Sequence, residues 1–236
     1  MLITSRFYLP QKIQKNKTYE NNCLYQHLIR VLRIRTNDRF VVFNGDGFDY
    51  ACQIKDINKK QIKFTVTESI KNNNESNLKI TLYLQISQRS KFEYSIQKAT
   101  ELGVFAITPI VGDKNNHKLN KSRIEKIIIS SCEQSQRAVI PKLNNPLKIS
   151  DVTIENSDNK FILHPCCGAK LLSECRIKKD QEISLIIGSQ SGFSAQEIEV
   201  SQKNGWQLAS LGNRVLRTET APIVALTVLQ TIYGDI

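Results

Sequence analysis

The stretch Leu211 to Ala221, LGNRVLRTETA, contains a glycine, two arginines, two threonines and a glutamate between two apolar segments. The segment before it includes Trp206 and Leu208, and the segment after it runs from Ile223 to Leu229. This order predicts a strand, a polar turn and a helix, and α/β proteins bind ligands at the carboxyl ends of their strands. Two interpretations stay open here: a ligand-binding turn, or a capped strand-to-helix turn whose arginines are solvated.

From Leu78 onward, apolar strand-like segments alternate with helix-like segments. The predicted strands are at 80–86, 104–111, 161–163, 183–187 and 207–211. Strands that alternate with helices predict a mostly parallel α/β sheet. The last helix, from about 222 to 233, is apolar on nearly all sides, so we expect it to be buried or to lie in a subunit interface.

Polar residues at fixed spacing predict where three of these helices begin. Ser122 with Glu125 and Ser194 with Glu197 each have the spacing of a capping box. Thr220 is expected to cap the last helix, because Pro222 then falls in its first turn.

The first part of the chain has a different pattern and predicts a small β-rich module. Its strand-like segments are 39–43, 48–54 and 61–67, and the sequence Asn-Gly-Asp-Gly at 44–47 predicts a hairpin turn between the first two. A helix is predicted at 20–32. We therefore expect domains at 1–71 and 79–236, joined by a polar linker at 72–78.

Composition restricts the classes of function. The net charge is +11 over 236 residues. Such an excess favours a polyanionic partner, and nucleic acid is the commonest one in a cell, although a Lys- and Asn-rich composition can also reflect an AT-rich genome. No segment has the length of a membrane span or the pattern of a secretion signal, so we expect a cytoplasmic protein. The six cysteines and three histidines lack metal-site spacing, and we expect no metal and reduced, mostly structural thiols.

Three strand ends carry candidate ligand-binding turns. They are Leu163-His164-Pro165, the segment from Gly188 to Gly192, and Leu211-Gly212. Each alone is a weak signal, but together they can surround one small molecule with backbone N–H and C=O groups. The chain has neither a GxGxxG motif after a strand nor a P-loop, which argues against a dinucleotide enzyme, a P-loop NTPase and an ordinary Rossmann-type methyltransferase. His164 is expected to be a structural turn residue rather than a base.

Five segments, in family order, resemble a known enzyme family. They are HLIRVLRIR at 27–35, QKATELGVFAITPI at 97–110, SCEQSQR at 131–137, IIGSQSGFSAQEI at 186–198 and LGNRVLRTETA at 211–221. The sequence resembles the bacterial 16S rRNA (uracil-N3)-methyltransferases of the SPOUT superfamily over essentially its whole length. The resemblance implies an α/β methyltransferase domain with a trefoil knot, preceded by a small β-rich PUA-like RNA-binding domain. It also implies a homodimer that acts on 16S rRNA or the small ribosomal subunit.

The resemblance also assigns roles to individual residues. The cofactor would be S-adenosyl-L-methionine. Its expected binding residues are Leu163, His164, Pro165, Gly188, Gln190, Gly192, Leu211, Gly212, Val215, Leu216 and Thr218. Arg217 and Glu219 are the catalytic candidates, the first to stabilise charge on the uracil and the second to accept a proton or a cofactor hydrogen bond. The expected RNA-binding residues are Arg6, Arg30, Arg33 and Arg35.

The chain departs from the family pattern in two of these segments. The glycine turn usually reads IGPEGG, and here Ser189, Gln190 and Ser191 replace the proline, the glutamate and one glycine. Losing the proline removes its preset backbone geometry. Gln136 replaces a usual glycine in the CEQSQR segment. These departures leave open an alternative, a non-catalytic rRNA-binding or ribosome assembly factor on the same scaffold with a degenerate cofactor turn.

Overall fold

The computed structural model describes residues 5–58, 60–111, 119–153, 157–165, 168–178 and 182–236, with residues 30 and 31 described by their backbone alone. The chain divides into two compact units. The first consists of Met1–Glu75 and Cys132–Ile140, and the second of Ser76–Ser131 and Pro141–Ile236. The inclusion of residues 132–140 in the first unit is not part of the boundaries expected from the sequence, which stay a prediction.

The first unit is built on a five-stranded sheet. Its strands are β1 (Arg6–Tyr8), β2 (Thr18–Asn21), β3 (Arg39–Phe43), β4 (Phe48–Ile57) and β5 (Ile62–Lys71), in the order β1-β3-β4-β5-β2. β1 pairs with β3 in parallel, and the other pairs are antiparallel. The predicted hairpin turn between β3 and β4 is confirmed. The Asn44 side chain accepts a hydrogen bond from the N–H of Asp46, and the Asp46 side chain accepts one from the N–H of Phe48.

The helical segment predicted at 20–32 is confirmed, but it widens along its length. α1 (Asn22–Tyr25) is capped by the side chain of Asn21, which accepts a hydrogen bond from the N–H of Leu24. A six-residue π-helical segment, Gln26–Val31, continues it. The segment ends at Arg33, whose φ of 55° is in the left-handed region. Leu24 and Leu28 point into the core of the first unit, which explains their helical spacing in the sequence.

Two buried arginines tie residues 132–140 to the rest of the first unit. Arg137, whose side chain is 5% exposed, pairs with Glu75 at 2.7 Å. The Nε of Arg6 donates to Asp49 at 2.8 Å, and its Nη1 donates to the carbonyl oxygen of Cys132 at 2.9 Å. Because removing one partner of a buried ion pair leaves an uncompensated charge, these contacts make the segment an integral part of this unit.

Gln136 has a φ of 62°, a backbone conformation that favours glycine. This explains why the family pattern has a glycine at this position. Replacing Gln136 with glycine is expected to raise the free energy of unfolding by about 0.5–1 kcal/mol, because relief of strain exceeds the extra entropy of the unfolded chain. Urea denaturation of the wild-type and variant proteins measures this difference. Gln134→Gly, in the preceding helix, is the control and should destabilise by about 1 kcal/mol.

The second unit contains a parallel sheet with helices between its strands. The strands are β6 (Ile80–Gln85), β7 (Ala106–Val111), β8 (Lys142–Leu143), β9 (Leu147–Lys148), β10 (Asn159–Leu163), β11 (Lys170–Leu171), β12 (Ile183–Ile187) and β13 (Gln207–Ser210). Their order is β11-β13-β10-β12-β6-β7-β8, with β9 also paired to β7, and all of these pairs are parallel. The predicted α/β class is confirmed.

The sheet explains the continuous apolar character of its strands. All five residues of β12 are buried, as is typical of a parallel strand covered on both faces. The helices are α2 (Arg89–Glu101), α3 (Lys121–Ser135), α4 (Ile149–Thr153), α5 (Ala195–Lys203) and α6 (Thr220–Tyr233). Among the described residues, no helix is both long and apolar enough to cross a membrane.

One of the three predicted helix caps is confirmed. Ser194 and Glu197 form a complete capping box at the start of α5. The Ser122 prediction is wrong, because α3 begins one residue earlier and the side chain of Asn120 accepts the hydrogen bond from the N–H of Arg123. The Thr220 prediction is also wrong. Thr220 is the first residue of α6, and its N–H donates to the carbonyl oxygen of Arg217.

Candidate active site

The three candidate turns meet at one edge of the parallel sheet. They follow β10, β12 and β13, which are neighbours in the sheet. Leu163 is in register with Ile187 of β12 and with Ala209 of β13, so the three strands end at the same level. The N–H of His164 donates to the carbonyl oxygen of Ala209 at 3.0 Å and extends this pairing beyond the strand. The sheet topology therefore places the three turns side by side.

A cavity of about 680 Å³ lies among these turns. Such a volume suits a small-molecule ligand or cofactor. Every residue that the sequence assigned to cofactor binding lines it: Leu163, His164, Pro165, Gly188, Gln190, Gly192, Leu211, Gly212, Val215, Leu216 and Thr218. Arg217 lines the same cavity. Sequence reasoning thus found residues that the structure brings together, while their individual roles stay predictions.

Two glycines shape the wall of the cavity. A Cβ atom on Gly188 would lie 2.9 Å from the ring of Phe193, so a side chain there would displace this aromatic group. Gly212 has a φ of 105° and an open space beside it, so the glycine is required by the backbone conformation and not by crowding. Both positions let backbone groups approach a ligand closely.

Two buried polar atoms near the cavity have no hydrogen-bond partner among the described residues. They are Nδ1 of His164, which lines the cavity, and Oε2 of Glu219. The nearest cation to Glu219 is the ammonium group of Lys91, whose Nζ lies 3.9 Å from Oε2, beyond hydrogen-bond distance. Buried polar atoms without partners are rare in proteins and are typical of sites that receive a ligand.

The backbone of Arg217 is fixed at the start of α6. Its carbonyl oxygen accepts hydrogen bonds from the N–H groups of Thr220 and Ala221, at 2.9 and 3.0 Å. Its side chain is exposed to solvent and lines the cavity. An anchored backbone with an exposed guanidinium is suited to meeting a second, charged molecule at the mouth of the cavity.

Sequence reasoning missed several residues of the cavity wall. These are Lys91, Ile187, Ser189, Ser191, Phe193, Ala209, Ser210, Arg214 and Ala221. Most of them are sequence neighbours of the assigned residues, and extending each turn by two residues would have found them. Lys91 is different, because it lies on α2 and no local pattern connects it with the three turns.

The four arginines expected to bind RNA have different surroundings. The side chains of Arg33 and Arg35 are exposed. Arg6 is buried, its guanidinium engaged by Asp49 and stacked on the ring of Phe43 at 3.8 Å. This burial argues against an RNA contact for Arg6 and gives it a structural role. The side chain of Arg30 lies outside the described residues.

The buried cysteines are not candidates for nucleophilic chemistry. Burial raises the pKa of the Cys52 thiol to about 12 and that of the Cys132 thiol to about 11. Both therefore stay protonated at neutral pH, and the thiolate is the reactive form. Cys23 is exposed, while Cys166 and Cys167 lie outside the described residues. In the described part of the chain, no group of three or more His, Cys, Asp or Glu residues is arranged to hold a metal ion.

Two protein-family models match the chain, one in each part. The model of an RNA methyltransferase domain matches residues 74–230, and the model of an RNA methyltransferase PUA domain matches residues 24–67. The first match alone covers more than half of the chain. The PUA-like first domain expected from the sequence is confirmed.

Curated relatives and solved structures agree with these matches. Ribosomal RNA small subunit methyltransferase E of Buchnera aphidicola subsp. Acyrthosiphon pisum is 37% identical, over 98% of this chain and 94% of its own length. The structure of the Neisseria gonorrhoeae protein of that name, bound to S-adenosyl methionine, has a TM-score of 0.91 and 31% identity, covering 98% of this chain and 99% of its own.

A methyltransferase from Legionella pneumophila, solved with bound S-adenosylmethionine, also has a TM-score of 0.91. It is 36% identical, and the likeness covers the whole of both chains. Together with the cavity at the ends of three parallel strands, these findings show that the chain belongs to the RNA methyltransferase family that includes the ribosomal RNA small subunit methyltransferase E proteins.

Proposed function

We propose that the protein transfers a methyl group from S-adenosyl-L-methionine to N3 of a uridine in 16S rRNA. The observation that supports this most directly is the cavity into which all three predicted turns converge. Its full-length relatives carry the name of an rRNA methyltransferase, and two similar structures hold this cofactor. These similarities favour the enzyme over the non-catalytic assembly factor.

The residues of the cavity fit the proposed cofactor. Leu163, Leu211 and Leu216 offer apolar side chains, while the Gly188 and Gly212 turns bring backbone groups close. The unpartnered Nδ1 of His164 is a buried polar atom that a cofactor group can satisfy. When bound, the cofactor supplies an electrophilic methyl group on a sulfonium.

The acceptor nitrogen determines what the protein must do. N3 of uracil becomes nucleophilic when it loses its proton, and the resulting negative charge spreads onto O2 and O4. We assign the guanidinium of Arg217 to stabilising this charge, because it is a cation fixed at the mouth of the cavity. Glu219 is the candidate proton acceptor, since its Oε2 is buried and lacks a hydrogen-bond partner among the described residues. Because N3 lies on the pairing edge of the base, the uridine must be unpaired or flipped out.

Mass mapping of 16S rRNA from a deletion strain tests the reaction. The expected result is the loss of one N3-methyluridine, restored by the wild-type gene supplied on a plasmid. An unchanged set of N3-methyluridines would contradict the proposed reaction. Calorimetric titration with S-adenosylmethionine separates the enzyme from the assembly factor, because saturable heat is expected only of the first.

The positive charge of the chain predicts salt-dependent RNA binding. With Arg33 and Arg35 exposed in the first unit, we expect several phosphate contacts, each of which releases counterions. Raising the salt from 50 to 200 mM should weaken binding to 16S rRNA by at least about 100-fold. Filter binding over this range measures the slope. Binding that does not change with salt would contradict the polyanion proposal.

The remaining expectations also belong to this proposal. We propose a trefoil-knotted catalytic domain, domain boundaries as expected from the sequence, a cytoplasmic location and a homodimer. The dimer is supported by α6, where Ile223, Val224 and Val228 are only partly covered and Ile232 is 44% exposed. Light scattering coupled to size exclusion is expected to give twice the chain mass of 26.9 kDa.

A further inference from the structure

The turn after β12 contains a hydrogen bond that the family pattern does not allow. The backbone N–H of Ser189 donates to Oε1 of Gln85 at 2.7 Å. A proline, which the family pattern has at this position, carries no N–H and can make no such bond. The bond therefore exists only because this chain has departed from the pattern.

Gln85 is firmly placed to act as the acceptor. It is the last residue of β6, which lies beside β12 in the sheet. Leu84 is in register with Ile187, so the chains pass side by side as β12 enters its turn. Gln85 is 6% exposed, and a buried side chain in a central strand has few conformations available. The acceptor oxygen is thus held by the sheet.

Two further hydrogen bonds close the turn. The N–H of Gly192 donates to the carbonyl oxygen of Ser189 at 2.9 Å, and the hydroxyl groups of Ser189 and Ser191 are 3.0 Å apart. These bonds are internal to the turn, whereas the bond to Gln85 attaches the turn to the sheet. Ser189, Gln190 and Ser191 all line the cavity, so the position of this attachment determines the shape of the wall.

We propose that Gln85 is a positioning residue for the cofactor turn. It holds Ser189 by its N–H and so restricts the turn where other family members use the fixed φ of proline. Gln85 acts through Ser189 and does not line the cavity. The inference rests on the proposed function for the identity of the ligand, but the restriction of the turn is a property of the protein alone.

Replacing Gln85 with methionine keeps the length of the side chain and removes the acceptor. In the ligand-free protein, amide hydrogen exchange at Ser189 is expected to accelerate about tenfold, because a hydrogen bond of this kind contributes on the order of 1 kcal/mol. The dissociation constant for S-adenosylmethionine should rise by about the same factor. kcat at saturating cofactor should stay within about twofold, since the bound cofactor then orders the turn.

Thr108→Val is the matched control. Thr108 is a buried residue of β7 and accepts a 2.8 Å hydrogen bond from Asn144, in the same sheet but outside the cavity wall. This variant also loses one side-chain hydrogen bond, yet it should leave exchange at Ser189 and cofactor affinity unchanged. An equal effect of both variants would mean a general loss of stability and would overturn the inference.

A proline at position 189 provides the decisive test. Ser189→Pro should keep cofactor affinity within about twofold, because the fixed φ replaces the hydrogen bond. In that background, Gln85→Met should have little further effect, so the two changes are strongly non-additive. Equal losses from Gln85→Met with serine or proline at 189, or unchanged exchange at Ser189 in Gln85→Met, would overturn the proposal. If the wild-type protein did not bind S-adenosylmethionine, the proposed function would fail, while hydrogen exchange would still decide the role of Gln85.

Discussion

Replacing Arg217 with methionine is expected to lower kcat for rRNA methylation by about 100- to 1000-fold, the usual cost of losing a group that stabilises charge in the transition state. Affinity for S-adenosylmethionine should change by less than about threefold, because the guanidinium faces the charge that develops on the uracil and not the cofactor. Single-turnover methylation of 16S rRNA measures the rate, and calorimetry measures cofactor affinity.

Two further variants show whether charge alone is sufficient. Arg217→Lys retains a positive charge but lacks the planar fork of donors, so we expect a loss of about tenfold or more. Arg176→Met removes an exposed arginine of the same unit that does not line the cavity, and it should leave kcat within about twofold. An Arg217→Met enzyme with wild-type kcat and only weaker RNA binding would assign this arginine to phosphate contact instead.

Replacing Arg137 with methionine should lower the free energy of unfolding by about 3 kcal/mol, the cost of removing one partner from a buried ion pair. Arg137 makes hydrogen bonds to both carboxylate oxygens of Glu75, which also accepts one from the N–H of Val139. Loss of the guanidinium leaves this partly buried carboxylate with too few donors. Urea denaturation, followed by circular dichroism, measures the difference.

The exposed pair of Arg123 and Glu93 provides the control for this measurement. Arg123 also makes two hydrogen bonds to its partner, but its side chain is 51% exposed. Arg123→Met should therefore cost no more than about 1 kcal/mol. Equal losses from Arg123→Met and Arg137→Met would contradict the structural role given to the buried pair.

Much of the candidate site was predictable from local sequence, because each turn directly follows an apolar strand. In a parallel sheet, strand ends lie at one edge, so a list of strand-terminal turns is already a list of neighbours. Residues 163–165, 188–192 and 211–218 were all found in this way. The chemistry of each turn is local, and their convergence follows from the sheet.

The residues that were missed depend on the order of strands and not on local spacing. Gln85 and Lys91 belong to a strand and a helix about 100 residues before the turn that they approach, and no motif records that β6 lies beside β12. Arg6 was misassigned for a similar reason. A lone arginine in a sequence does not reveal that Asp49 and Phe43 bury it.

The first unit is discontinuous in sequence, and this has a consequence for synthesis on the ribosome. Glu75 emerges from the exit tunnel long before Arg137, its ion-pair partner. The sheet of the first unit can form early, but the unit is complete only after residue 140 has been translated. At elongation rates of about 5–20 residues per second, the early sheet waits several seconds for its last segment. During that interval the nascent chain exposes unpaired acidic groups, and a fragment ending near residue 75 should remain in this incomplete state.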